Sequence, residues 1–234
     1  MSMKRFFSIY QFVVPIIFFP VGYYLWLLRY QGDHSLVILT LSLPIVFAYV
    51  MPGIGTNILQ LWEFNTCFRL GKYRPHQGFV YGTAVSLLGL ICFDATQEGM
   101  SAGSLLRSAF IMGTTLAFWN WLYDMYAIKS GFITLYRVDH YKNTNIETIV
   151  TEYAPLLFGS FGICYGIFLH LSQYYLVEVG KRDLYWLFWV GGNLSVLIIP
   201  VLAFGLFTYV KYGKSGIQSF FKRRGHAKHN INIS

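Results

Sequence analysis

The sequence predicts an all-α, polytopic transmembrane bundle of six helices, and three observations predict it. Apolar runs of bilayer length recur along the 234 residues, the runs are unbroken, and the basic residues collect in the polar stretches between them. About 20 apolar residues cross a hydrocarbon core. A core without water obliges each crossing segment to satisfy its own peptide hydrogen bonds, as a helix or a closed barrel. Barrel strands alternate in polarity, so unbroken runs favour helices.

The runs are residues 12–28, 36–51, 79–93, 105–126, 154–176 and 184–210. The first follows Lys4 and Arg5 as in a signal peptide, but it reaches 17 residues with no small-x-small cleavage site after it, so it reads as a retained helix. Pro52 and Gly53 close the second, and if they end it fully, residues 55–68 make a short extra span and the count becomes seven. The third is bounded outside by Asp94 and Glu98, read as helix-end residues. The fourth closes on the aromatic segment Trp119 to Tyr126. The fifth starts at Glu152 and Pro155, where an acid suits a helix N-terminus. The sixth leads into the basic stretch Lys211 to His229, which suits anionic headgroups. Residues 1–224 therefore form one transmembrane domain, and 225–234 a flexible cytoplasmic tail.

With six crossings and Lys4 and Arg5 inside, 14 basic residues fall on the cytoplasmic side and 4 (Arg29, Arg107, Lys181 and Arg182) outside, which puts both termini in the cytoplasm. The expectation is a multi-pass integral membrane protein of the endoplasmic reticulum or a bacterial inner membrane. A net charge of +8 spread over loops and one tail forms no groove for nucleic acid. Cys67, Cys92 and Cys164 are an odd number at wide spacing, without a CxxC pair, and read as free thiols. His170 has no ligand partner at metal-binding spacing and reads as bonded to a neighbouring helix. Dinucleotide and Walker patterns are absent, so neither a metal nor an organic cofactor is expected. The loop pair Arg74 and His76 suits a headgroup or a phosphate.

Ionisable groups inside a membrane cost roughly 2.5–3.5 kcal/mol on insertion scales, so each asks for a reason. Asn57, Gln60 and Glu63 fall at successive spacings of three, one stripe of a helix facing a partner or a cavity. The alternative is an interfacial Glu63 paired with Arg69 or Lys72. Asn120 and Asp124 share a face, turned inward or resting in an aromatic belt at the water's edge. Two carboxyl groups held close and dry do not ionise together, which would leave one as an acid. Aromatic residues are 19% of the chain, and ring faces attract cations.

Residues 162–204 resemble the last two helices of the emopamil-binding protein family, the sterol Δ8-Δ7 isomerases and their EXPERA-domain relatives. Tyr165 and Gly166 match an I/L-Y-G element, Leu184 to Trp189 an aromatic run, and Asn193 and Pro200 keep the spacing of N-x-x-W-x-x-x-P. Glu63 followed by Phe64 matches the family's glutamate. Leu59, Val196 and Ile167 stand where the family has histidine, tryptophan and aspartate. Asn57 with Trp62 and Glu63 also resembles the membrane-bound terpene cyclases of meroterpenoid pathways. Both resemblances imply an enzyme that isomerises or cyclises a sterol-like or isoprenoid lipid by proton transfer through a carbocation. Glu63 and Asp124 would be acid and base, and Asn193 would orient. Asn57, Trp62, Trp119, Tyr123, Tyr165 and Trp186 would hold the lipid. The alternative is a non-catalytic membrane protein that binds lipids or partners; a homo-oligomer stays open.

Overall fold

The computed structural model describes residues 2–70, 73–93, 99–136 and 144–217. They form six helical rods: α1 (Met3–Arg29), α2 (His34–Ile58), α3 (His76–Cys92), α4 (Ala102–Lys129), α5 (Ile146–Glu178) and α6 (Arg182–Tyr212). Each apolar run of the sequence falls on one rod. Four of the rods, α1, α2, α5 and α6, are long and apolar enough to cross a membrane, and α3 is a shorter apolar helix. Large apolar side chains face outward along them, among them Ile16, Phe110, Leu202 and Val210, as a hydrocarbon surround requires.

Local chemistry sets the ends. The Asp33 carboxylate accepts from the backbone of Ser35 and Leu36 and caps α2. Ser101 and Ser104 form a reciprocal capping box on α4. Asn145 caps α5 by accepting from Thr148 N at 2.8 Å. That start corrects the expected fifth helix: Glu152 lies nearly two turns inside α5. Its carboxylate takes Lys211 Nζ at 2.7 Å and Tyr212 Oη at 2.6 Å, joining α5 to α6.

A seventh span is also corrected. Beyond Pro52 the helix widens into a π-helical turn, Gly53–Ile58, and Gln60 turns into the left-handed region at φ 54°. The next residues, β1 (Trp62–Phe64), pair antiparallel with β2 (Ile133–Leu135) just past α4, so their backbone groups bond across two chain segments and not along a helix. The helical fold thus carries one two-stranded ladder, and the expected helical stripe of Asn57, Gln60 and Glu63 does not form.

Glycine sets the tightest helix contact. A Cβ on Gly162 would lie 2.5 Å from the Met112 carbonyl oxygen, and one on Gly166 2.5 Å from that of Ser108, so α5 rests directly on the backbone of α4. At one end of the bundle Arg182 pairs with Asp33, Tyr185 Oη donates to Ser35 O at 3.1 Å, and His170 meets Ser104 and Ser108 at 3.2 and 3.3 Å. The other end, where α1, α3 and α5 begin and α2, α4 and α6 finish, is hollow. Asp94, Glu98 and the tail 225–234 lie outside the described residues.

Candidate functional site

The hollow is a cavity of about 620 Å³, within the roughly 300–1,000 Å³ of small-molecule sites. Its walls are mostly apolar and aromatic: Phe47 and Met51 on α2, Val85 and Leu88 on α3, Phe158 on α5, Phe204 on α6. The ladder closes the end. Side chains alternate across a strand, so Trp62 and Phe64 with Ile133 and Leu135 turn into the cavity, while Glu63 and Thr134 share the opposite face. The Trp62 ring takes the place of a side chain at Gly55, where a Cβ would come within 2.0 Å of it.

Polar groups enter from four rods. On α4, Asn120, Tyr123 and Asp124 follow the i, i+3, i+4 spacing that gives one face, with Trp119 beside them. Tyr10 on α1, Gln77 and Tyr81 on α3 and Tyr153 on α5 join them, and Tyr136, just past β2, completes the set. Asp124 is 8% exposed, and Tyr153 Oη donates to its Oδ2 at 2.7 Å. Asn120 Nδ2 donates to Leu116 O at 2.8 Å, which leaves its Oδ1 as an acceptor. The Tyr81 hydroxyl is buried with no hydrogen-bond partner among the described residues.

Four residues singled out from the sequence come together here: Asp124, Tyr123, Trp62 and Trp119. Five do not line the cavity. Glu63 sits on the outer face of the ladder, beside Tyr136, whose hydroxyl is pushed up by burial and by its hydrogen bond to Glu63. It also acts on Arg74, whose guanidinium burial and Arg69 lower while Glu63 opposes them. The carboxylate is thus placed among basic and phenolic groups of the loops, near the ion-pair alternative but with Arg74. Asn57 is exposed. Asn193 is buried in α6 and spends Nδ2 on Trp189 O at 2.7 Å. Tyr165 is wholly buried, stacked on Phe161. Trp186 is 67% exposed at the opposite end of the bundle.

Tyr10, Gln77, Tyr81, Tyr136 and Tyr153 were missed. Their signal was present in part: Ile149, Tyr153 and Leu157 recur every four residues on α5, and Gln77, Tyr81, Ala84 and Leu88 every three or four on α3, and all of them line the cavity. Among the described residues no cluster of three His, Cys, Asp or Glu could hold a metal.

Phe18 on α1, Ile91 on α3 and Trp119 on α4 touch the cavity and are also 44, 80 and 48% exposed. The hollow therefore continues sideways to the apolar exterior. No protein-family model, curated protein or solved structure matches this chain.

Proposed function

We propose that this chain is a multi-pass membrane enzyme, all six rods crossing the bilayer, that takes an isoprenoid or sterol-like lipid from the hydrocarbon phase and isomerises or cyclises it by proton transfer at Asp124. The observation that carries this reading is a carboxyl group held by Tyr153 in an aromatic, apolar cavity that opens sideways between rods. The Asp124 carboxylic acid would give its proton to one carbon of a ligand double bond, leaving a cation on the other carbon. The ring faces of Trp62, Trp119 and Tyr123 suit such a cation. The carboxylate would then take a proton from a neighbouring carbon, which restores the acid and moves the double bond. Asp124 thus fills the acid role that the family resemblance gave to Glu63.

Basic residues of the loops and helix ends, Arg74, Lys129 and Lys211, lie at the cavity end of the bundle, which supports placing that end in the cytoplasm. The non-catalytic alternative keeps one supporting observation: Asp124 is the one carboxylate among the described residues that line the cavity, so acid and base must be the same group.

Lipid profiles of cells bearing the wild-type, Asp124→Asn and Glu63→Gln proteins test the proposal. The expected result is a lipid that carries solvent deuterium with wild type and Glu63→Gln and disappears with Asp124→Asn. An unchanged profile with Asp124→Asn at normal protein level refutes it.

A further inference from the structure

We infer that the cavity is built for an isoprenoid lipid with a neutral hydroxyl head and excludes the phosphorylated form of the same lipid. This rests on the reading of the cavity as a lipid site, and it follows from which charges line the hollow and which do not.

Among the described residues, no Lys, Arg or His lines the cavity, and its ionisable acid is Asp124. Four basic residues at that end of the bundle are engaged elsewhere. Arg74 is buried, and its Nε donates to Phe64 O at 3.0 Å, on the backbone of the ladder. Lys129 pairs with Glu147 at 2.6 Å and Lys211 with Glu152 at 2.7 Å. His76 Nε2 meets Gln11 Oε1 at 2.8 Å, between stacked Phe12 and tilted Phe68 rings. Arg74 and the Nε2 edge of His76, which the sequence offered as a phosphate site, therefore meet the protein's own backbone and amides.

What lines the polar wall is a set of neutral acceptors and phenols around one acid. Asn120 Oδ1 accepts, the Tyr10 and Tyr123 hydroxyls can donate or accept, and the Tyr81 hydroxyl has no hydrogen-bond partner among the described residues. A ligand hydroxyl both donates and accepts, so it can satisfy this set at once. A phosphate brings acceptors and roughly 1.5 to 2 negative charges at neutral pH, and would have to shed its water beside a carboxyl group with no cation among the described lining residues to receive it.

The test uses the full chain in lipid nanodiscs and two probes with one tail, geranylgeraniol and its monophosphate, read by tryptophan fluorescence since Trp62 and Trp119 both line the cavity. The alcohol is expected to bind about 100-fold more tightly than the monophosphate. A gap under about tenfold, or tighter binding of the monophosphate, overturns the inference while leaving the cavity a lipid site. Saturable binding of neither probe overturns the lipid site itself and the inference with it.

Discussion

Replacing Gly162 by Ala tests the contact that seats α5 on α4. The new Cβ would lie 2.5 Å from the Met112 carbonyl oxygen and 2.9 Å from Gly113 Cα, both backbone atoms that no rotamer change can move aside. To reach an ordinary separation of roughly 3.5 Å the two rods must part by about 1 Å. Overpacking of this kind costs about 1–3 kcal/mol. The matched control is Gly191→Ala on α6, whose Cβ would meet Phe168 at 3.6 and 3.8 Å, an ordinary contact. Both substitutions gain the same helix propensity, about 1 kcal/mol, so that gain cancels in the comparison. Thermal unfolding in detergent, followed by circular dichroism, should place Gly162→Ala below Gly191→Ala by the overpacking cost. Equal midpoints would show that α4 and α5 do not meet through this glycine.

Tyr153→Phe keeps the ring and removes the hydroxyl from Asp124 Oδ2. A hydrogen bond to a charged group is worth about 1.5–3 kcal/mol, so turnover should fall roughly 10- to 100-fold while the unfolding midpoint stays near wild type; undiminished turnover would remove Tyr153 from the site. Gly55→Ala collides with the Trp62 ring, the end of a movable side chain, so the ring should swing out of the cavity end. Increased quenching of tryptophan fluorescence by water-soluble acrylamide is the expected sign, and unchanged quenching would mean that Trp62 does not close that end.

The apolar runs made the six rods legible, because span length depends on one-dimensional composition and on the need to satisfy backbone groups without water. Asp124 was legible as half of an answer: its spacing from Asn120 fixed a shared helix face, but spacing cannot say whether that face meets a cavity or a headgroup layer. Glu63 was misplaced for a related reason. A stripe at spacings of three assumes a continuous helix, and the positive φ at Gln60 together with pairing to β2, about 70 residues away in the chain, removes that assumption. Gly162 and Gly166 stood in the sequence as a small-xxx-small pair, and only their distance to the α4 backbone gives the pair a meaning.

By itself the sequence determined that the chain is helical, that at least four of its rods suit a hydrocarbon surround, and where its basic residues collect, since these depend on local composition and on the solvent. Tertiary structure decided which polar residues share a space. Asp124, Tyr153, Tyr81 and Asn120 come from three rods, and their meeting depends on how α3, α4 and α5 pack. No local periodicity carries that information, because a helix face fixes a direction and only the partner helix fixes what lies there.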